Sequence, residues 1–281
     1  MNSNAQKTRM TAGYHNHTTF CDGKNTPAEM AAAAFEKGFS DFGFSGHSRT
    51  HYLYQPNFGV VDEAEYVRVI RACQRQYADK MHIAVGMEQD YLAPVKNRAA
   101  LDYCIGSVHD LHDTATGKFY SVDDSAAMLQ AGIDVMFAGD AMAMVRCFYE
   151  STMQNVAQYQ PEIIGHFDLI VKNNADGDFF DENSAEYREI ALHALRVCAK
   201  SGAIFEVNTG GMTRAYRKMP YPARFLLEEL CRLDARVMIN TDAHSVQTID
   251  FGYETAYKLL KDIGFTHLCV PQNGEFLEKS L

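Results

Sequence analysis

Phe42-Gly43-Phe44-Ser45-Gly46 is a run of apolar and small residues that leads into His47. The same form recurs downstream. Cys104-Ile105-Gly106-Ser107-Val108 leads into His109, and Ile163-Ile164-Gly165 leads into His166. Ile83-Ala84-Val85-Gly86-Met87 ends instead on a carboxylate, Glu88. Short apolar runs bounded by turn residues read as buried strands. His15-Asn16-His17, with Asp22 shortly after, and Asp242-Ala243-His244 stand at the ends of two more such runs. This placement decides the fold. In a closed α/β barrel, active-site groups come from the C-terminal ends of many strands. In an open doubly wound sheet they gather at one switch point. Candidates that follow at least six strands favour the barrel.

The intervening sequence agrees with that reading. Strands are expected at 13–17, 39–45, 82–88, 102–108, 162–166, 203–208 and 236–241. Helical patterns separate them. One spans 27–37, with Thr26 as N-cap and Pro27 in the first turn. Others are expected at 62–77, as two segments over 122–160, and at 184–200, 223–233 and 249–263, with a short terminal run at 267–270. Strand–helix alternation implies βα units and a parallel sheet. There is no repeat, low-complexity tract or linker, so one domain over residues 1–281 is expected. That length suits an α/β barrel, which commonly takes about 250 residues.

Composition narrows the function. A formal charge of −10 disfavours a duplex nucleic-acid binder, which carries a basic face. The seven cysteines are odd in number, widely spaced and without a CxxC pair, which argues for a reducing compartment rather than a disulfide framework. Residues 1–11 are polar, and the apolar stretch 133–145 contains Asp134 and Asp140 and is too short to span a bilayer. The expectation is a soluble cytoplasmic protein with neither a nucleic-acid nor a membrane partner.

His15 and His17 are two apart, so on a strand both imidazoles point to one side and can meet one ion. Asp242 and His244 have the same spacing. An ionised Glu88 at a strand end needs a compensating partner if it is buried. Asp22-Gly23 is open to two readings, ligand or ordinary turn. Of the other histidines, His51, His82, His112, His193 and His267, His82 at a strand start and His193 in mid-helix are expected to be structural, and His112, three residues after His109 and within reach of the site, is expected to be a loop histidine. Mixed imidazole and carboxylate donors suit zinc, manganese or iron better than calcium or magnesium. Nine donors, at about four ligands per site, fit about three ions if carboxylates bridge. Clustered ions lower the pKa of a bridging water and clamp the oxygens of a phosphoryl group. A second motif, Asn208-Thr209-Gly210-Gly211-Met212-Thr213-Arg214, suggests an anionic substrate. Asn208 and the paired Gly210 and Gly211 would let backbone approach a phosphate, and Arg214 could hold it bidentately. No P-loop, GxGxxG or GxSxG motif is present.

The ordered set, from His15 to His244, resembles the polymerase and histidinol phosphatase (PHP) family over nearly the whole chain. The resemblance implies a distorted (β/α)7 TIM-like barrel in which His15, His17, Asp22, His47, Glu88, His109, His166, Asp242 and His244 bind three divalent metal ions, with Glu88 bridging two. Gly-Ser-Val-His at 106–109, and Asn-Thr-Gly-Gly followed by Arg and Tyr-Pro, resemble the histidinol-phosphatase branch. That branch hydrolyses L-histidinol phosphate in histidine biosynthesis. By this resemblance Glu88, Asp242, His244 and Arg214 serve catalysis, with Arg214 as the phosphate clamp. Departures are Gly46, where the family often has an acidic residue, and the segments 49–60 and 112–119. The alternatives are a PHP phosphoesterase for another small phosphate ester or a nucleotide, and a non-catalytic binding module.

Overall fold

The computed structural model describes residues 10–49, 58–174, 177–213 and 215–281. In chain order its strands are β1 (Ala12–Gly13), β2 (Asp41–His47), β3 (His82–Asp90), β4 (Tyr103–Ser107), β5 (Asp110–Asp113), β6 (Lys118–Ser121), β7 (Ile163–Ile164), β8 (Ile204–Asn208), β9 (Val237–Asn240), β10 (His267–Gln272) and β11 (Glu275–Ser280). The helices are α1 (Pro27–Glu36), α2 (Glu63–Tyr77), α3 (Ala126–Phe137), α4 (Ala141–Tyr159), α5 (Ala185–Ala199), α6 (Gly210–Thr213), α7 (Arg224–Arg232) and α8 (Tyr253–Ile263).

Seven strands form one parallel sheet in the order β1-β2-β3-β4-β7-β8-β9. Its two edges approach each other just beyond β1 and β9. There the His17 N–H donates to the Ala243 carbonyl (2.8 Å) and the Ala243 N–H to the His15 carbonyl (3.2 Å). The Tyr14 N–H reaches across to Asn240 Oδ1 at 2.8 Å. The sheet is thereby nearly closed into the expected barrel.

Alternation along the strands sorts the side chains. Inside the lower barrel, Tyr14, Ala84, Tyr103, Ile105, Ile163, Ile204 and Met238 make an apolar plug. Outward-facing Phe42, Phe44, Ile83, Val85 and Met87 pack under α1 and α2 against Met30, Ala34, Tyr66 and Ile70. On the other side Ile164, Phe205, Val207 and Ile239 meet Val156, Leu195, Leu227 and Leu260 from the later helices. Each fully buried Val, Leu, Ile, Phe or Met among them contributes about 1.5–3 kcal/mol. The inward positions at the upper strand ends are polar: His47, Glu88, Asp90, Ser107, Glu206, Asn208 and Asn240 are all buried. The site is built from that layer.

Local signals set most of the helix boundaries. Thr26 caps α1 in a capping box with Glu29, and Pro27 occupies the first turn. Asp62 and Ser184 cap α2 and α5 by accepting from the backbone N–H groups of Glu65 and Tyr187. Three local expectations differ from the structure, and one segment takes a form the sequence left open. The run at 13–17 is a regular strand only to Gly13, and parallel pairing resumes at Asn16. The run at 236–241 stops at Asn240, because Asp242 takes a left-handed backbone with φ 49°. The segment 112–119 lies within an antiparallel hairpin, β5–β6. The terminal run is the first arm of hairpin β10–β11, turned by Asn273 and Gly274, both at positive φ. Phe276 of that hairpin packs edge-on to Tyr14 at 5.6 Å, so the hairpin covers the barrel floor. No single helix among the described residues is long and apolar enough to cross a membrane.

Candidate metal centre

All nine predicted donors converge at the upper end of the barrel. They fall into overlapping groups whose donor atoms lie within 4.8 Å of one another: His15–His17–Asp242, His15–Glu88–His166, His47–Glu88–His109, and His17–Asp22–His47–His244. Glu88 is the hub. Its Oε2 lies 3.1 Å from His15 Nε2, 3.5 Å from His17 Nε2 and 2.9 Å from His47 Nδ1. Its Oε1 lies 2.8 Å from His166 Nε2 and 3.2 Å from His109 Nε2. Asp242 Oδ1 lies 3.1 Å from His17 Nε2, and Asp22 Oδ2 lies 3.0 Å from His244 Nε2. His15, His17 and Glu88 are fully enclosed, whereas the side chains of Asp22, Asp242 and His244 are 31%, 19% and 15% exposed. The first three form the floor and the others the rim that meets solvent.

The elements that place these groups are only partly those expected. His47 and Glu88 are paired in register on β2 and β3. His109 and His166 each follow a strand by two residues. Asp242 and His244 converge by a different route from strand alternation. The left-handed turn at Asp242 redirects the chain, and His244 Nδ1 sits 2.9 Å from the Asp242 carbonyl.

Electrostatics follow from burial. Burial, with His244 and His47 nearby, pushes the His17 imidazole down to about 3, so it stays in the neutral form that ligates. Burial acts the same way on His15, but Glu206, Glu88 and Asp242 overcome it and hold that imidazole above its usual range. Burial alone would raise Glu88; His15, His47 and His109 hold it well below the usual carboxylate range. Asp242 and Asp22 are lowered against burial in the same way, by His15 and His47 respectively among others.

A divalent cation fits this donor set. His15 Nε2, His17 Nε2 and Glu88 Oε2 are buried and crowded by donor atoms at 2.9–3.5 Å, yet none of the three is aligned for a hydrogen bond among the described residues. Such orphaned atoms are costly in a protein interior unless something binds them. The residues behind the ligands also suit an ion. Glu206, wholly buried on β8, has Oε1 at 2.6 Å from His15 Nδ1. The same carboxylate accepts from Asn240 Nδ2 (2.9 Å), Asn208 Nδ2 (2.8 Å) and the His166 N–H (2.9 Å). Asp90 Oδ2 accepts from the His109 N–H at 2.8 Å and stands 3.3 Å from its Nδ1. An acceptor on one ring nitrogen leaves the other aimed into the site as a lone pair. Neither Glu206 nor Asp90 was among the predicted site residues. Both left a signal: Glu206 interrupts the apolar run Ile204–Asn208, and Asp90 follows Glu88 by two, on the same strand face.

The expected phosphate loop is rearranged. Arg214 lies outside the described residues. Asn208 is fully buried and its amide is engaged with Glu206 and, through Oδ1, with the Gly210 N–H at 2.7 Å. It braces the site rather than facing a ligand. Gly210 and Gly211 do line the pocket, but the close approach they permit is to side chains. A Cβ would stand 2.8 Å from Asp242 Cβ at position 210 and 2.7 Å from the Tyr221 ring at position 211. Gly46 has a packing reason too: a Cβ there would come within 2.9 Å of Val60, and its N–H donates to the Tyr66 hydroxyl. His47 is instead supported by Phe58, stacked on its ring at 4.2 Å.

Comparison with known proteins fits this geometry. The PHP domain family model matches residues 13–210. A Schizosaccharomyces pombe protein named "Probable histidinol-phosphatase" is 25% identical over 280 residues, covering 92% of this chain and 89% of its own. The histidinol-phosphatase of Bacillus subtilis is 24% identical over 259 residues, covering 85% of this chain and 96% of its own. The crystal structure of histidinol phosphate phosphatase (HISK) from Lactococcus lactis, complexed with zinc, L-histidinol and phosphate, has the same fold. Its TM-score is 0.70 at 21% identity, over 95% of this chain and 98% of that one. The family model spans well over half of the chain and takes in every ligand candidate from His15 to His166, while the barrel's last strand brings Asp242 and His244 to them; the chain belongs to the PHP domain family.

Proposed function

We propose that the protein is a metal-dependent phosphomonoesterase that hydrolyses L-histidinol phosphate to histidinol and phosphate, a step of histidine biosynthesis. The observation that carries this reading is the convergence of nine imidazole and carboxylate donors around Glu88. It occurs in a chain whose relatives of similar length bear the name of that activity.

Three ions of zinc, manganese or iron suit the donors. His15, His17 and Asp242 with Glu88 would hold one, Glu88 with His109 and His166 a second, and Asp22, His47 and His244 a third. When bound, such ions make water nucleophilic near neutral pH and neutralise charge on a phosphoryl group. The chain's own residues do the rest. Glu88 presents its two oxygens to different imidazoles, so it sets the spacing of the donors. Glu206 and Asp90 fix the rings of His15 and His109. Asp22, Asp242 and His244 form the exposed rim, so an ester reaches the site from that side. In this reading a water held near Asp242 and His244 on that rim protonates the departing alkoxide, because Asp242 itself stays ionised. Arg214, four residues beyond Gly210, serves as the phosphate clamp in this reading.

The test is phosphate release by protein stripped with a chelator and reloaded with zinc, manganese or iron separately. The expected result is metal-dependent hydrolysis with L-histidinol phosphate preferred over nucleoside mono- and diesters. No release from any small phosphomonoester would overturn the proposal. Fewer than two bound ions per chain would favour a binding module instead.

A further inference from the structure

The pocket above the metal centre has a wall that neither the ligands nor the phosphate loop explains. Hairpin β5–β6 and the residues just after it bring Asp110, Asp123 and Asp124 into the lining beside His109. Lys172 is the only lysine or arginine in that lining among the described residues. Its ammonium is already matched, at 3.0 Å from Asp123 Oδ2, while Asp123 Oδ1 accepts from Ser121 Oγ at 3.0 Å. Asp110 differs. The residue is only 2% exposed, and its Oδ1 has no hydrogen-bond partner among the described residues. The Tyr221 hydroxyl is likewise buried in the lining without a partner among them.

A buried carboxylate oxygen with no donor is disfavoured unless a ligand completes it. An alkylammonium brings three N–H donors and the compensating charge. We infer that Asp110, on the wall supplied by β5–β6, is a specificity subsite for the primary ammonium of an aminoalkyl phosphate, with Tyr221 as a second polar contact. The inference rests on the phosphatase reading and refines it. The metal end takes the anionic phosphate and this wall takes a cation. In L-histidinol phosphate the amine is on the carbon next to the one that bears the ester. The substrate class is therefore a phosphate monoester with a neighbouring ammonium, rather than any small phosphomonoester.

The test uses the metal-loaded full chain with L-histidinol phosphate and its desamino analogue, 3-(imidazol-4-yl)propyl phosphate. The wild type should prefer the amino ester by about ten- to a hundred-fold in kcat/KM, the range for a hydrogen bond to a charged group. In Asp110→Asn that ratio should fall to near one with metal content retained. A wild type indifferent to the amine overturns the subsite, and so does an unchanged ratio in the variant. The wild-type ratio needs no variant, so a poorly folding Asp110→Asn leaves the inference testable. Failure of the phosphatase reading looks different, because neither ester releases phosphate. Calorimetry with L-histidinol against 3-(imidazol-4-yl)propanol then decides. An amine preference that Asp110→Asn removes supports the subsite, and equal binding overturns it.

Discussion

Glu206→Gln is the sharpest probe of how the fold prepares the site. The wild-type carboxylate is wholly buried and receives four donors: His15 Nδ1, Asn240 Nδ2, Asn208 Nδ2 and the His166 N–H. An ionised carboxylate is acceptor-only, so all four bonds are satisfied and His15 must carry its proton on Nδ1. A glutamine has one oxygen and one NH2. Whichever way it flips, the NH2 faces two donors, and two of the four bonds are lost. Leaving a buried donor unmatched costs about 1–3 kcal/mol, so the metal-free protein should lose about 2–6 kcal/mol in urea unfolding. His15 also loses the partner that aims Nε2 at the site. Metal affinity, measured against a competing chelator, should fall about 10- to 100-fold. Stability within about 0.5 kcal/mol of wild type, the scatter of an ordinary surface change, would refute the bond count. A destabilised variant with unchanged metal affinity would refute the orienting role and leave Glu206 a structural acceptor.

Three further outcomes are expected. Chelation should lower the melting temperature, because His15 Nε2, His17 Nε2 and Glu88 Oε2 are buried without a hydrogen-bond partner. A metal present at a thousandfold its Kd contributes about 4 kcal/mol, so the shift should be roughly 10 °C and reverse on adding back zinc or manganese; calorimetry that shows none would contradict the donor assignment. Gly210→Ala places a Cβ 2.8 Å from Asp242 Cβ, an overpacking of about 1–3 kcal/mol that should displace Asp242. Phosphatase activity should fall more than tenfold with the chain still folded, and full activity would show that Asp242 tolerates the shift. Burial raises the Asp168 carboxyl to about 6, above its unfolded value near 4, so the folded state holds this proton more tightly. Its contribution is fully present below about pH 4 and is lost as pH rises to about 6, an amount of roughly 3 kcal/mol. Asp168→Asn should therefore gain on the wild type over that interval, and parallel urea-stability curves from pH 4 to 7 would show that Asp168 titrates normally.

The sequence by itself determined the barrel, the cap of its first helix and the set of nine candidate donors. Each βα unit carries its own message: an apolar run, then a polar residue where the strand meets the mouth. That message is written within about ten consecutive residues, and a period of two or 3.6 is enough to read it. His47, Glu88, His109 and His166 were legible for this reason, and so was Thr26 as the cap of α1. The Asn273-Gly274 turn was equally local, although the short run before it was read alone.

The tertiary structure decided which residues meet. His15 and Glu206 are 191 positions apart, and only closure of the barrel brings them to 2.6 Å. No periodicity reports such a pairing, because a pattern states which face of an element is buried and not what lies opposite. The same holds for the two oxygens of Glu88, divided among five histidines from four segments. It holds for Asn208 and the paired glycines, whose loop is drawn against Glu206, Asp242 and Tyr221 rather than left open. The left-handed backbone at Asp242 was equally hidden, since an aspartate tolerates that conformation but nothing in the local pattern selects it over an extended one. The sequence thus determined the inventory of donors, and the closed barrel determined their partners, because contact depends on three-dimensional proximity and a linear pattern encodes only direction.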